Sequence, residues 1–445
     1  MKNHLAKNVK FLTVAVLLVV SFTGMFLQGR SGNSSVNASS KTTSNRTSLN
    51  IGSINQVKIP GELSRSNNLV FSQDGNVGLV AVSNEEDGSA GHSLYSFDTR
   101  SGQVISRLDT FPTGINPTRL TFGARNKLIV SARDASNNEA AFVIVSLLPD
   151  GRFDESQRVS LAISVPKVED EQSVPDMVHL TEDSQYGIYS NKTGLFVFST
   201  TTGQIVSYEE IVRLSDFSGN SLIESISYDP VSNRLGVVQR RPSDYKLHVY
   251  SIGLHGTLLF ESLISLQKKE IIGRGSTLAF DRTGSFLYIA GSSSGQLLTY
   301  EISSGKLVSK TSVPELSIED KTLAREIPVT VKTDPFTGVA FIQRPGHIQR
   351  PGHGKGKKGK LVLLSVSESK IIANIDLEEG FLSAVLDEDE TTAYVLTSGT
   401  LQLVDLKTGS LIENKNLSTE NLNLFSEAGL IGVVAKDSIH LLRPR

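Results

Sequence analysis

The chain has 445 residues, 38% of them hydrophobic, a net charge of −2 and no cysteine or tryptophan. The absence of cysteine excludes disulfides, a thiol nucleophile and any Cys-ligated zinc or iron–sulfur centre. Near-neutral charge excludes a molecule built as a whole for nucleic acid, and the length suits two or three average domains or one large all-β domain.

At the N-terminus, Lys2, Lys7 and Lys10 precede the apolar run "FLTVAVLLVVSFTGMFL", Phe11 to Leu27. A cationic region followed by an apolar one is the pattern of an export signal. The run also reaches the short edge of the roughly 20 residues that span a bilayer. No small-x-small cleavage site closes it, the nearest being "VNA" ending at Ala38, and the lysines would hold the N-terminus inside. Residues 1–28 are therefore expected to be a signal peptide or, in preference, an uncleaved membrane anchor. Either places the bulk of the chain outside the cytoplasm, whether periplasmic, cell-surface or secreted. Residues 29–50, "GRSGNSSVNASSKTTSNRTSLN", are too polar to pack and read as a flexible linker. Their Asn-x-Ser/Thr triplets at Asn33, Asn37 and Asn45 matter only in a eukaryotic secretory pathway.

Residues 51–445 repeat a unit of roughly fifty residues. In "LYSFDTRSGQVISRL" (94–108), "LFVFSTTTGQIVSYEE" (195–210) and "LQLVDLKTGSLIENKNL" (401–417), an apolar strand meets a polar turn closing on glycine, then a second strand. The turn glycines are Gly102, Gly151, Gly203, Gly256, Gly305 and Gly409, with Ser369 standing in for a missing one. Glycine suits such turns because it tolerates positive φ. A second, Asp-rich turn precedes each of these, as in "SQDGN" (72–76), "TEDSQ" (181–185) and "DRTGS" (281–285). Each unit thus holds strands a, b, c and d, with no sustained helical periodicity between them.

Four-stranded units repeated at this period predict an all-β fold, a β-propeller. The count gives eight blades, with seven as the alternative if one unit is irregular. The last unit offers only three strands, "NLNLFS", "LIGVVA" and "SIHLLR"; "NIGSINQVKIP" (50–60) is expected to supply the fourth and close the ring. Segments such as "LYIAGSSSGQLLTYEISSGKLV" (287–308) resemble the exported bacterial propellers of the YVTN and lactonase-like type. The YVTN tetrapeptide itself is absent, as is the Trp-Asp dipeptide of WD40 repeats.

In a propeller the b–c and d–a loops share one face and the a–b and c–d turns the other. The longer b–c/d–a loops are expected to form the working face. On it falls the insert "QRPGHIQRPGHGKGKKGK" (343–360), between "VAFI" and "KLVLLSV", strands b and c of the sixth unit. Arg344, Arg350, Lys355, Lys357, Lys358 and Lys360 occur there without an acid, alongside His347 and His353. Three readings compete. One is a tolerated tandem expansion, since lengthening a loop costs only about 0.6 kcal/mol per doubling. Another is an arm for polyanions, by salt-sensitive attraction, with base stacking unsupported because no aromatic interrupts it. The third, a metal site on His347 and His353, has no established ligand spacing and is opposed by the surrounding cations. Arg240 and Arg241 in the fourth unit could extend the same basic arc.

Catalytic signals are few. No G-x-S-x-G elbow occurs, and the missing tryptophans argue against a quinoprotein. His92, His179, His248, His255 and His440 are scattered, reading as strand or turn residues. Glu224, Asp176 and Asn116 are inner-strand polar candidates that would have to converge at the channel for a lactonase-type hydrolase. The reading is an extracytoplasmic propeller that binds or scaffolds protein or polyanion partners through its b–c/d–a face, with the hydrolase as alternative. It implies no cofactor, membrane contact only through the N-terminal segment, no nucleic-acid role and a monomer.

Overall fold

Each repeat folds as an antiparallel meander because short polar side chains build its turns from their own backbone. In the first Asp-rich turn, Asp74 accepts hydrogen bonds from the Ser72 hydroxyl (2.6 Å) and the Asn76 amide (3.1 Å). Asp183 does the same with Thr181 (2.8 Å) and Gln185 (3.0 Å) two repeats later. In the glycine turns, Asp98 accepts from the amides of Arg100 (3.0 Å) and Ser101 (2.6 Å), and Asp405 from Thr408 (2.8 Å). Such turns pin the backbone locally, which is why Asp recurs at these positions.

The computed structural model describes residues 54–60, 62–63, 69–83, 91–112, 115–134, 139–164, 177–213, 221–266, 277–281, 283–291, 295–313, 330–333, 339–344, 360–365, 370–377, 381–386, 392–397, 399–406, 408, 410–417, 421–427, 429–435 and 438–443. The chain divides into two units, Met1–Thr47 and Ser48–Arg445, and every described residue belongs to the second. No described helix is long and apolar enough to cross a membrane; the apolar run 11–27, the linker 29–50, residues 367–369 of the turn expected at 367–370, and Gly409 lie outside the described residues.

The described strands form eight antiparallel sheets. Sheet one holds Leu69–Phe71, Val77–Ser83, Gly91–Asp98 and Val104–Pro112. Sheet two holds Ile115–Phe122, Lys127–Asp134, Glu139–Leu147 and Phe153–Ser164; sheet three, Met177–Leu180, Tyr186–Ser190, Gly194–Ser199 and Ile205–Glu210. Sheet four holds Leu222–Asp229, Arg234–Arg240, Tyr245–Ile252 and Leu258–Leu266; sheet five, Thr277–Phe280, Phe286–Gly291, Gln296–Glu301 and Lys306–Ser312. Sheet six holds Thr330–Thr333, Val339–Arg344, Lys360–Ser365 and Lys370–Asp376; sheet seven, Phe381–Leu386, Thr392–Thr397, Thr400–Asp405 and Leu411–Asn416. In sheet eight, Asn421–Glu427, Leu430–Ala435 and Ile439–Leu442 are joined by Ile54–Val57 from the other end of the domain, with Gln56 opposite His440. The sequence did not announce one strand. Glu62–Leu63 pairs with Val82 and Ser83 in sheet one, on the part of Val77–Ser83 that the short strand Leu69–Phe71 leaves uncovered.

The core lies between the sheets. Middle strands are buried on both faces, so alternate residues point to different neighbours. Leu79 and Ala81 pack toward sheet two, while Val80 and Val82 pack toward sheet eight. Eight apolar clusters result among the described residues, each shared by two successive sheets, the last joining sheets eight and one. The first strands of neighbouring sheets also pack together, and Leu69–Phe71 of sheet one touches both Ile115–Phe122 and Asn421–Glu427. This is the radial packing of a β-propeller.

The glycine turns also stitch sheets together. Outer strands bulge shortly after the turn, leaving Ile105 and Val206 unpaired in their ladders. A Cβ at Gly151 would lie 2.8 Å from Ile105, and one at Gly203 would lie 2.8 Å from Val159 on the outer strand of sheet two. Gly203 also has φ of 72°, so close approach and backbone conformation both demand glycine. Replacing Gly203 by valine should therefore cost more than about 1 kcal/mol, whereas Thr201→Ala in the same turn should stay within about 0.5 kcal/mol. Urea midpoints compare the two, and equal shifts would contradict the stitching.

Candidate docking surfaces

Backbone hydrogen bonds sort the connections onto two faces. Thr99 donates its amide to the Asn76 carbonyl (3.0 Å) and its hydroxyl to the Gly75 carbonyl (2.6 Å). Thr200 makes the matching bonds to Gln185 (3.0 Å) and Ser184 (2.7 Å), and the Ile302 amide reaches Ser285 (2.9 Å). The a–b and c–d turns of each such sheet are thereby bound together on one side, leaving the b–c and d–a connections for the other.

On that second side, the insert joins strands b and c of sheet six, as the repeat implied. Arg344 and Lys360 are register partners on the last described rung of this hairpin, and Lys360 stands opposite Asp376 on its other side. His347, Arg350, His353, Lys355, Lys357 and Lys358 lie outside the described residues. In sheet four, Arg240 is paired opposite Tyr245. The following turn is tight: the Arg241 amide donates to the Asp244 carbonyl (2.9 Å). This folds the Asp244 carboxylate back to 3.7 Å from the Arg241 guanidinium and 3.4 Å from the Lys246 ammonium. Asp244, which the reading of Arg240 and Arg241 as an open basic arc left out, therefore screens part of that charge. An exposed pair of this kind is worth at most about 1 kcal/mol, so Arg241 is held lightly.

Of the channel candidates, only Glu224 has a described side chain. Glu224 occupies the bulge between Ile223 and Ser225 and is buried. Asn116 stands opposite Arg133 on the ladder of sheet two, and Asp176 lies outside the described residues. Among the described residues, no three His, Asp or Glu side chains come together as a metal site would require. His92 and His440 are buried strand residues, and His255 sits in a turn with φ of 61°.

Two histidines are packing elements. His248 Nε2 lies 3.0 Å from Gln239 Oε1, and burial, reinforced by the Lys246 and Arg241 charges, pushes its pKa down to about 4. The His179 ring lies 6.3 Å from that of Tyr228. Its Nε2 is buried without a hydrogen-bond partner among the described residues, and burial, then the Arg119 charge, pushes its pKa down to about 3.

The other face holds a cavity of about 460 Å³ between the turns of sheets three and four, its walls including Glu182, Asp183, Tyr186, Tyr228, Asn233 and His255. The Tyr228 hydroxyl donates to Asn233 Oδ1 (2.9 Å), and Asn233 Nδ2 donates to the Ile252 carbonyl (2.6 Å), fixing one wall. Burial, with Asp183, Asp229 and Glu182 nearby, pushes the Tyr228 phenol up to about 12. The face expected to be plain therefore carries a recess with an acidic side. The adjacent acids in "TEDSQ" were its only legible signal.

The histidines make stability depend on acid. Both have folded pKa values below the ordinary 6.5, so the stability they confer is complete above that value. It is lost as pH falls toward about 4. Hydrogen-bonded Asp74, Asp98 and Asp109, all held below the usual carboxylate value, add a further loss at lower pH. Urea midpoints should decline from pH 6.5 to pH 4.5, and His179→Gln with His248→Gln should flatten that decline. Parallel profiles would contradict the assignment.

No protein-family model matches the sequence, and no curated protein matches it. Solved structures do. BamB from Moraxella catarrhalis is 10% identical with a TM-score of 0.54, over 87% of this chain and 100% of that one. Sqt1 from Chaetomium thermophilum is 13% identical with a TM-score of 0.55, over 88% and 100%. The Dos1 propeller is 10% identical with a TM-score of 0.56, over 87% and 95%. At these identities the likeness concerns the fold, and the fold is a β-propeller.

Proposed function

We propose that the chain is an exported β-propeller of the YVTN and lactonase-like kind, working as a binding module that docks an acidic partner on its b–c/d–a face. One observation carries the reading: the hairpin of sheet six ends on a rung that sets Arg344 opposite Lys360. Like charges directly opposite each other weaken a strand pair. The sequence then adds Arg350, Lys355, Lys357 and Lys358 between them, together with His347 and His353. An anionic surface laid across this neck converts mutual repulsion into attraction, and Asp376 alone does not match the cations. Arg240 and Arg241 supply a second, weaker cationic point on the same face.

Attraction of this origin falls steeply with salt, because bound cations displace counterions. The test compares the protein with a variant carrying serine at Arg350, Lys355, Lys357 and Lys358. Binding is measured to a sulfated polysaccharide, anionic vesicles, duplex DNA and polyglutamate at 50 and 200 mM salt. Expected is saturable binding to at least one acidic probe, weakened tenfold or more by the added salt and by the substitutions. Equal binding by both proteins would reduce the insert to a tolerated expansion.

A further inference from the structure

The outermost strand of sheet four differs from its counterparts. Leu258–Leu266, "LLFESLISL", pairs on one side with Tyr245–Ile252 and has no partner on the other among the described residues. Leu259, Phe260 and Leu263 are each more than half exposed on it, at 51%, 59% and 51%. The outer strands of sheets three, five and seven are guarded by charge, in "IVSYEE", "KLVSKTS" and "LIENKN". Charged residues are the usual defence of a free edge. Here the only charge is Glu261, and Arg234 of the same sheet already holds it at 3.0 Å. Apart from the Leu258 amide, which donates to Ser207 Oγ at 3.3 Å, the edge is therefore apolar, without a strand partner among the described residues and electrically quiet.

The surroundings supply the missing sign. Leu254, 86% exposed, and His255 lie in the turn that leads into this strand and also border the recess containing Glu182 and Asp183. That turn sits against sheet three, since a Cβ at Gly256 would meet Tyr186 and Val206 at about 2.8 Å. Beside that contact Val206 is exposed, and the same strand carries Glu209, close enough to Tyr250 of sheet four to add to the burial that pushes its phenol up. Exposed apolar side chains on sheets three and four thus have acids beside them.

We propose that this edge is a docking site for an extended segment of a basic partner protein, which adds a strand beside Leu258–Leu266. Its alternate apolar side chains cover Phe260 and Leu263, which share one face of the strand, and its Lys or Arg residues meet Glu182, Asp183 and Glu209. Strand addition of this kind takes affinity from main-chain hydrogen bonds and selectivity from alternate side chains. The surface is separate from the basic insert and opposite in charge, so the two select different partners.

The probe is a blocked nine-residue peptide alternating valine and lysine, compared with its valine–glutamate counterpart by fluorescence anisotropy at low salt. Expected is saturable binding of the lysine peptide alone, weakened at least tenfold by Phe260→Ser with Leu263→Ser and, independently, by Glu182→Lys with Glu209→Lys. All four positions are surface sites, and an unchanged melting midpoint establishes that each variant is folded. No saturable binding, equal binding of the two peptides, or indifference to both variants would overturn the proposal. So would an unliganded dimer in sedimentation that Phe260→Ser with Leu263→Ser dissolves, which would make a second copy the occupant of this edge.

Discussion

Every sheet in this protein has two apolar faces, and no sheet can bury both alone. That constraint organises the rest. Val80 and Val82 need sheet eight as much as Leu79 and Ala81 need sheet two, and the same division recurs around the domain. Burying an aliphatic side chain contributes roughly 1.5–3 kcal/mol, so each shared cluster is a substantial adhesive, but only if the next sheet is in place. Alternating residues of middle strands thus specify a succession of sheets rather than one layer. In such a chain the local turns and the distant packing must agree. They do so at Gly151 and Gly203, where the turn demands positive φ and the preceding sheet demands the missing Cβ.

Much of this architecture was legible in the sequence because its signals are local. Apolar strands, Asp-rich turns and glycine turns each occupy a few residues, and their period names the fold. The assignment of the insert to the b–c connection of sheet six followed from counting. What the sequence concealed depends on tertiary distance. Nothing in "QRRPSDYK" announces that Asp244 folds back toward both Arg241 and Lys246. Nothing in "TEDSQ" or "GLHG", about seventy residues apart in a repeating chain, announces that they border one recess. The short strand Glu62–Leu63 was hidden for a related reason: two residues carry no periodicity, and it forms only because Val82 and Ser83 are left uncovered.

The resulting molecule offers two surfaces of different character. On the b–c/d–a side, Arg344 and Lys360 are register partners at the end of the sheet-six hairpin. At the outer rim of sheets three and four, an edge whose one charge, Glu261, is paired with Arg234 runs beside acids. His179 and His248 belong to neither; held neutral at ordinary pH, these half-buried rings support packing. A rigid stack of sheets suits such a division of labour, since each connection can vary in length and charge while the clusters beneath remain unchanged.

The account depends on the first strand of the domain completing the last sheet, because otherwise sheets eight and one would each lose a face. The natural chain has no cysteine, so a designed pair reports on this contact without competition. Gln56 and His440 stand opposite each other across the two strands, a separation within the reach of a disulfide, roughly 4.4–6.8 Å between Cα atoms. In a Gln56→Cys, His440→Cys protein, mild oxidation should consume both thiols in the folded state and raise the melting midpoint, reversibly with reductant. Thiols that stay free and reactive in the folded protein would show that the two ends do not share a sheet.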